Sequence, residues 1–146
     1  HFRSVLQILL PDQESTDLEK AVLYALGKHA ASIDILGATG DRLDHTTGSL
    51  GCLKKFARQA ALRLIDTSGT AELIRGHVTI AATRGENLSL IPLDRCTGVT
   101  TTNLKYPLRG DVLELGVREG ISNEAVGTPV TVTVESGTLL LYRFHR

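Results

Sequence analysis

The sequence predicts a two-part fold, in which an α/β region with parallel strands is followed by an all-β region. Up to residue 68, apolar runs typical of buried strands alternate with helical spacing. From residue 69 onwards the helical spacing disappears, and short apolar runs are separated by turn residues. We therefore expect a partial parallel α/β domain of the Rossmann-like kind over residues 1–68 and an antiparallel β-sandwich over residues 69–146.

The α/β region contains three apolar runs and two helical patterns. The runs Val5–Leu10 and Ile33–Leu36 flank a helix that begins after Thr16, because Thr16 and Glu19 have the spacing of a capping box. A single helix between two strands of one sheet implies a right-handed crossover and parallel strands. The helix should end near Gly27, and its sheet-facing stripe comprises Leu18, Ala21, Val22, Ala25 and Leu26.

A second helix should run from about Leu43 to Ala60, followed by a third strand at Ala61–Ile65. Its basic side chains have no aromatic residues between them, so they indicate a solvated face and not a nucleic-acid patch; they are Lys54, Lys55 and Arg58. The predicted buried side of this helix comprises Leu50, Leu53, Phe56, Ala57 and Ala60.

Composition excludes several classes of partner. The chain has 146 residues, 42% of them apolar, with 16 basic and 16 acidic residues, so no bulk charge attracts it to nucleic acid or membrane. No apolar segment approaches the roughly 18 residues of a membrane span. Cys52 and Cys96 stand far apart without metal-ligand spacing, which favours two buried thiols in a reducing compartment. We expect a soluble, cytoplasmic protein.

The start of the chain is unusual. It begins at His1, contains no methionine, and enters the apolar run at Val5 almost at once. A strand buried on both faces needs neighbours on each side. We therefore expect the chain to be a fragment, or a processed form, that lacks a preceding piece of the sheet.

The segment Leu36–His45 carries the densest functional pattern. Gly37 and Gly40 allow a tight turn and close approach of a ligand, and the next helix directs its N-terminus at the same place. Arg42 suits phosphate, and carboxylates such as Asp44 suit Mg²⁺. This pattern indicates a polyphosphate site, but an N-cap at Asp41 with an acidic first turn accounts for the same residues. It is neither a P-loop nor a dinucleotide fingerprint.

A second polar loop, Asp12–Asp17, follows the first apolar run. Both loops should lie at the carboxyl edge of one parallel sheet, where open α/β sheets bind ligands. Carboxylates of Asp12, Asp17 and Asp44 would then converge near Lys20, an inventory suited to Mg²⁺ and a nucleoside triphosphate. An acidic loop with a capped helix remains a sufficient structural explanation.

The β-region should contain seven strands and two unusual loops. In Thr100–Leu108, Tyr106 stands beside a cation and before a proline, and Glu119–Glu124 sets small polar groups on a loop. Packing and ordinary turn chemistry explain both equally well. The predicted strands are Ala71–Ile74, His77–Ile80, Leu88–Leu93, Gly98–Thr102, Val112–Val117, Val130–Glu135 and Thr138–Phe144.

Five segments in order resemble thiamine pyrophosphokinases, and the resemblance covers essentially the whole chain. The segments are Asp12–Ala21, Gly37–Thr46, Leu90–Leu93, Thr102–Leu108 and Gly120–Glu124. The resemblance implies an ATP-binding α/β domain, a thiamine-binding β-sandwich, and a homodimer with the active site at the subunit interface. It also implies transfer of diphosphate from ATP to the thiamine hydroxyl, which gives thiamine diphosphate and AMP.

The resemblance further implies roles for particular residues. Asp17 would hold Mg²⁺ and the ATP phosphates, and Asp17, Arg42 and Asp44 would be the catalytic set. Tyr106 would stack on the thiamine pyrimidine ring, to which Ser122 and Asn123 would hydrogen-bond. The implied nucleotide-binding residues are Gln13, Ser15, Thr16, Lys20, Thr39 and His45.

Two departures from the family pattern leave alternatives open. Glu14 stands where an Asp is usual, and the family's Gly-Asp-x-Asp-Ser loop, which supplies further aspartates, is absent. The alternatives are a thiamine-binding module without transferase activity, or a pyrophosphokinase for another hydroxylated heterocycle, since Tyr106 replaces the Trp of some members.

Overall fold

The computed structural model describes residues 8–9, 11–40 and 42–145. The predicted fold class, α/β followed by antiparallel β-structure, is confirmed. Most of the predicted strand Val5–Leu10 lies outside the described residues, as does Asp41. The elements in chain order are α1 (Asp17–Gly27), β1 (Ser32–Leu36), α2 (Leu43–Phe56), β2 (Ala61–Ile65), β3 (Gly69–Ile80), β4 (Asn87–Pro92), β5 (Cys96–Thr102), β6 (Arg109–Leu113), β7 (Gly120–Glu124) and β8 (Val130–Phe144).

Helix α1 begins with the predicted capping box. The Thr16 hydroxyl accepts from the Glu19 N–H at 3.2 Å, and the Glu19 carboxylate accepts from the Thr16 N–H at 3.1 Å. Val22 is its buried anchor in the core, whereas Ala21, predicted to face the sheet, is exposed. The buried stripe is therefore narrower than the sequence pattern indicates.

Helix α2 links the parallel strands β1 and β2, which pair from Ser32↔Ala61 to Leu36↔Ile65. It ends at Phe56 and not at Ala60, because the chain must turn over residues 57–60 before β2 begins. Its buried face starts at residue 49 and follows the helical spacing i, i+3, i+4 and i+7. Leu50, Ala57 and Ala60, which were predicted to be buried, are only half-buried. The buried residues are Ser49, Cys52, Leu53 and Phe56.

The basic face of α2 is not simply solvated. Lys55 pairs with Glu19 of α1 at 2.8 Å. Lys54 pairs with Asp94 at 2.5 Å and donates to the Leu93 carbonyl at 3.2 Å. These contacts attach α2 to α1 on one side and to the β4–β5 connection on the other. Lys55 and Arg58 are exposed, as predicted, and Lys54 is half-buried.

The β-region is built on one long antiparallel pair, β3 with β8. The other edge of β8 pairs with β4 along residues 139–143 and with β5 along residues 131–136; β7 then joins β4 and β6 joins β5. The chain bends between these halves at a bulge near Gly76 and at Gly137, where φ is +96° and an added Cβ would lie 2.7 Å from the Cys96 sulfur. An apolar core that includes Leu88, Val132 and Leu141 lies between the diverging strands.

Three details of the predicted β-region were wrong. The segments 71–74 and 77–80 form one strand, as do 130–135 and 138–144, because bulged strands keep their pairing through a bend. The strand predicted at Val112–Val117 ends at Leu113, and the chain then turns back at the Glu114↔Arg118 bridge. Gly120–Glu124, predicted to be a loop, is strand β7.

The sheet runs without interruption from the α/β region into the β-region. Strand β2 pairs with β3, with Ile65 opposite Thr70, and the core that contains Leu62 and Leu64 also contains Ala71 and Leu140. A domain boundary at 68/69 therefore stays a prediction.

Both cysteines are buried and unpaired, and burial raises the pKa of each thiol above its ordinary value. Within residues 8–9, 11–40 and 42–145, no helix is long and apolar enough to span a bilayer.

Candidate active site

A cavity of about 670 Å³ lies at the carboxyl end of β1. The start of α1, the glycine segment after β1 and the first two turns of α2 form its walls. Six of the residues singled out from the sequence border it, namely Thr16, Asp17, Thr39, Arg42, Asp44 and His45. The structure thus brings residues from both polar loops to one place.

Two features fix the shape of the glycine segment, namely the positive φ of Gly37 and a hydrogen bond from Ser49 of α2. Gly37 has φ +69°, a conformation that side chains with a Cβ rarely adopt. The buried hydroxyl of Ser49 donates to the Ala38 carbonyl at 2.7 Å and lies 3.0 Å from the His45 carbonyl. Ser49 therefore ties the segment to α2. Ser49 was not among the predicted site residues, although its position one turn after His45 places it on the cavity side of the helix.

The N-terminus of α2 points into this cavity. Arg42 is the N-cap residue and provides no side-chain cap, and Arg42, Asp44 and His45 all border the cavity, so the positive end of the α2 dipole lies at the cavity wall. The Arg42 guanidinium forms a bidentate salt bridge with the Asp44 carboxylate, with Nε–Oδ1 at 3.2 Å and Nη2–Oδ2 at 2.5 Å. The hydrogen bond from Arg42 lowers the pKa of Asp44 below its ordinary value. An entering anion would compete with Asp44 for Arg42.

The carboxylates in this cavity suit a metal ion that arrives with a nucleotide. Asp17 is fully exposed and lies 3.8 Å from the Lys20 ammonium. Among the described residues, no three His, Cys, Asp or Glu side chains are grouped closely enough to hold a metal ion. Mg²⁺ commonly binds through one or two carboxylates together with substrate phosphates and water. These side chains fit that mode, and not a metal centre built from protein alone.

Three of the predicted nucleotide-binding residues do not border the cavity: Gln13, Ser15 and Lys20. They belong to the neighbouring loop and to the first turn of α1. This loop is closed by a turn in which Asp12 accepts from the Glu14 N–H at 2.9 Å. Hydrogen bonds from the Ser15 side chain and the Glu14 backbone lower the pKa of Asp12. The nucleotide-binding roles of Gln13, Ser15 and Lys20 stay predictions.

The predicted thiamine-side residues lie together in the β-region. Tyr106 is 63% exposed, and Asn123 is only 5% exposed. The Asn123 Oδ1 accepts from the Tyr106 N–H at 3.1 Å and from the Glu124 N–H at 2.9 Å, and its Nδ2 donates to the Tyr106 carbonyl at 2.8 Å. The amide of Asn123 is thus engaged with the backbone and holds Tyr106 in place, and its predicted hydrogen bond to the thiamine ring stays a prediction.

Ser122 has an unusual backbone for its position in β7. Its φ is +58°, and its N–H donates to the buried Ser89 hydroxyl at 3.0 Å. The pairing of β4 with β7 shifts register at this point, and the Ser122 side chain is exposed. A non-glycine residue in the left-handed region is often found at a ligand site.

The two sets of candidate residues lie far apart within one chain. Strands β1 and β7 are at opposite ends of the hydrogen-bonded path β1-β2-β3-β8-β4-β7. Five steps of about 4.8 Å separate them by roughly 24 Å along the sheet. Tyr106 accordingly does not border the cavity near β1.

A second cavity, which the sequence analysis did not anticipate, borders the same glycine segment on its other side. It measures about 740 Å³ and is lined in part by Asp66 and Tyr142. The Asp66 Oδ1 accepts from the Tyr142 hydroxyl at 2.8 Å, from the Ser68 N–H at 2.7 Å and from the Gly69 N–H at 2.8 Å. Burial opposes ionisation of Asp66, but these hydrogen bonds outweigh it and lower its pKa. Burial and the Asp66 contact raise the pKa of Tyr142 to about 12.

Two family models match the chain. Residues 2–65 match the catalytic domain of thiamin pyrophosphokinase, and residues 77–139 match its vitamin B1 binding domain. The chain is 31% identical over 142 residues to the thiamine pyrophosphokinase of Bacillus subtilis, covering 94% of this chain and 66% of that protein. It is 30% identical over 139 residues to thiamine pyrophosphokinase 1 of Arabidopsis thaliana, covering 88% of this chain and 52% of that protein.

Solved structures agree with these sequence matches. The crystal structure of the Bacillus subtilis thiamine pyrophosphokinase superimposes with a TM-score of 0.83 over 91% of this chain and 64% of that chain. The chain therefore spans less than two thirds of that relative. Since both matching models describe parts of one kind of protein and the shared fold extends over nearly all of the chain, it belongs to the thiamine pyrophosphokinase family.

Proposed function

We propose that this chain forms part of an enzyme that transfers diphosphate from ATP to the hydroxyl group of thiamine. The thiamine oxygen attacks the β-phosphorus, the bond from that phosphorus to the oxygen of the α-phosphate breaks, and AMP leaves as the hydroxyl proton is lost. The observation that carries the proposal is the cavity bordered by Thr16, Asp17, Arg42, Asp44 and His45 at the N-terminus of α2. Such an arrangement supports phosphate binding, and the family match supports the reaction.

Reactions of this class depend on positioning and charge neutralisation more than on a covalent nucleophile. In this proposal Arg42 leaves Asp44 and binds phosphate oxygens, while the N–H groups of the α2 terminus bind the same chain of phosphates. Thr16, Thr39 and His45 complete the cavity wall. Gln13, Ser15 and Lys20 would act from the adjacent loop.

Mg²⁺ would be held by Asp17 together with phosphate oxygens of the nucleotide, and Asp44 becomes available once Arg42 turns to the phosphates. Its contribution would be to neutralise phosphate charge. The full exposure of the Asp17 side chain supports this assignment.

Thiamine would bind in the β-region, on the exposed ring of Tyr106. The ring is held through its backbone by Asn123, and the exposed hydroxyl of Ser122 is available for a hydrogen bond to the pyrimidine. Stacking of the Tyr106 ring on the pyrimidine would be favourable, since aromatic rings attract each other in offset-stacked arrangements.

The distance between the two sites supports a homodimer in which each active site is shared by two subunits. The β1 cavity and the β7 region stand at opposite ends of the sheet path in one chain, and a second copy would bring the two together. Exposed apolar side chains on β7 and the turn before it support an interface there, namely Leu115, Val117 and Ile121.

The test is formation of AMP from Mg-ATP and thiamine by the 146-residue chain, with Arg42→Ala and Tyr106→Ala as inactive references. AMP release that depends on thiamine and is lost in both variants is the expected result. Mixing the two variants should restore part of the activity if sites are shared between subunits. Thiamine binding without AMP release would instead favour the binding-module alternative, and activity only with other alcohols would favour the alternative substrate.

A further inference from the structure

The second cavity adjoins the first across the glycine segment. Four residues line both cavities, and they form the end of β1 and the turn after it: Leu36, Gly37, Thr39 and Gly40. A ligand held by its phosphates in the first cavity could therefore extend past Gly40 into the second. The segment that separates the cavities is thin and has two glycines.

The second cavity has an apolar wall and one polar end. Leu50 of α2, Leu64 and Ile65 of β2 and Leu140 of β8 contribute apolar surface, and Asp66 stands at the polar end with the exposed Thr67 and Ser68. A flat aromatic base is suited to such a wall, with a few polar groups fixing its orientation.

Asp66 has one oxygen in use and one available. All three hydrogen bonds that it accepts go to Oδ1, from Ser68, Gly69 and Tyr142. Within the described part of the chain, no donor contacts its Oδ2. The carboxylate is thus rigidly oriented by one oxygen and open to a ligand donor by the other.

The position of Asp66 in the sheet adds an independent argument. It follows β2 directly, and β2 is the parallel neighbour of β1, which the glycine segment follows. In dinucleotide-binding Rossmann folds, whose third glycine this chain lacks, an acidic residue that follows the next strand accepts a hydrogen bond from a ribose hydroxyl. The glycine turn, helix, strand and acid occur here in that same order.

We propose that the second cavity binds the nucleoside part of the nucleotide, with the Asp66 Oδ2 accepting a hydrogen bond from a ribose hydroxyl. This rests on the proposed function, because the phosphates of the same nucleotide occupy the first cavity. Asp66 becomes a determinant that distinguishes a nucleoside triphosphate from inorganic triphosphate.

The test uses Asp66→Asn in the full 146-residue chain. Asparagine keeps the Oδ1 acceptor for Ser68, Gly69 and Tyr142 but puts an amide donor where Oδ2 was. Calorimetry with Mg²⁺ would compare three ligands: ATP, 2′,3′-dideoxy-ATP and inorganic tripolyphosphate. The wild type should bind ATP about tenfold or more tightly than dideoxy-ATP, a difference that corresponds to one hydrogen bond to a charged group. Asp66→Asn should bind both nucleotides with similar, weaker affinity and bind tripolyphosphate as the wild type does.

A matched control is Asp34→Asn, which removes one carboxylate from the same sheet. Asp34 pairs with Arg63 and borders neither cavity, so its variant should keep the preference for ATP. Thermal unfolding of both variants checks that each is folded. If Asp66→Asn keeps the wild-type preference for ATP over dideoxy-ATP, the nucleoside site is wrong while the phosphate site stands. If the wild type binds neither ATP nor tripolyphosphate, the proposed function fails, and the nucleoside site fails with it.

Discussion

The side-chain amide of Asn123 pairs with the backbone of Tyr106 in both directions. The Tyr106 N–H donates to Oδ1 at 3.1 Å, and Nδ2 donates to the Tyr106 carbonyl at 2.8 Å. The adjacent segments are joined as well, since the Lys105 N–H donates to the Glu124 carbonyl at 2.9 Å and the Lys105 ammonium pairs with the Glu124 carboxylate at 2.9 Å. The loop that presents Tyr106 is therefore held on β7 by hydrogen bonds.

Replacing Asn123 by alanine should affect both stability and thiamine binding. The change leaves buried backbone groups of Tyr106 without partners, which typically costs about 1–3 kcal/mol. Thiamine affinity should also fall because the Tyr106 ring loses its position. Urea unfolding and thiamine calorimetry measure the two effects. Tyr106→Ala is the control, since it removes the exposed ring and should lower affinity with little loss of stability; a folded Asn123→Ala that binds thiamine like the wild type would contradict the positioning role.

Ser122 should show opposite effects on stability and binding. Its φ of +58° is costly for a residue with a Cβ, so Ser122→Gly should raise the free energy of unfolding by about 1 kcal/mol. Thiamine affinity should fall because the hydroxyl is lost. Ser122→Ala keeps the backbone cost and loses the same hydroxyl, so it should bind weakly without gaining stability. Equal thiamine affinity in all three proteins would show that the Ser122 hydroxyl has no role in binding.

Ser49→Ala should loosen the glycine segment. Loss of the hydrogen bond to the Ala38 carbonyl should reduce stability by about 1 kcal/mol and weaken binding of tripolyphosphate. Thr47→Ala is a matched control on the same helix, because the Thr47 hydroxyl donates within the helix, to the Leu43 carbonyl at 2.8 Å. We expect the control to bind tripolyphosphate normally. If the two variants lose affinity equally, the tether to Ala38 is not what matters.

Arg42→Ala should separate stability from ligand binding. The Arg42–Asp44 pair is solvent-exposed on both sides, and exposed pairs contribute little to stability. Its melting temperature should therefore remain close to that of the wild type, whereas affinity for tripolyphosphate should fall about tenfold or more. Arg58→Ala removes an exposed cation that does not border the cavity and serves as the charge control. Equal affinity of Arg42→Ala and wild type would exclude Arg42 from the phosphate site.

Much of the architecture could be predicted from local patterns. The capping box of Thr16 and Glu19 and the strand Ala61–Ile65 have strong local signals, and both lie where the sequence indicated. Strand β7 could not be found in this way, because Ser122 and Asn123 are typical of turns and its strand character comes from pairing with β4. The continuity of the sheet through Ile65 and Thr70 is likewise a matter of long-range pairing, which periodicity does not encode.

The sequence was enough to predict the kinds of residue that form the candidate site, but not which groups each side chain contacts. Asp17, Asp44 and Arg42 could be grouped because loops after parallel strands share one edge. Asn123 has the same chemistry whether it contacts a ligand or the backbone of Tyr106, so its hydrogen bonds to Tyr106 could not be predicted from the residue type. Asp66 was overlooked because its turn, Asp66–Gly69, is sufficient to explain an aspartate there.

The Asp66–Tyr142 contact predicts a pH dependence at the alkaline end. The pKa of Tyr142 is raised from 10.0 to about 12 in the folded chain, so its contribution to stability is fully present below pH 10 and is lost as the pH rises from 10 to 12. Urea unfolding at pH 8, 10 and 11 should show wild-type stability falling more steeply than that of Tyr142→Phe, which cannot titrate. Parallel curves for the two proteins would contradict a protonated Tyr142 bonded to Asp66.

Calorimetric titration of thiamine into the 146-residue chain, beside Tyr106→Ala, tests the central claim most directly. We predict saturable binding of one thiamine per chain in the wild type and at least a tenfold loss of affinity in Tyr106→Ala, whose folding is checked by thermal unfolding. A folded wild-type chain that does not bind thiamine, or a Tyr106→Ala variant with wild-type affinity, would contradict the thiamine site proposed for the β-region.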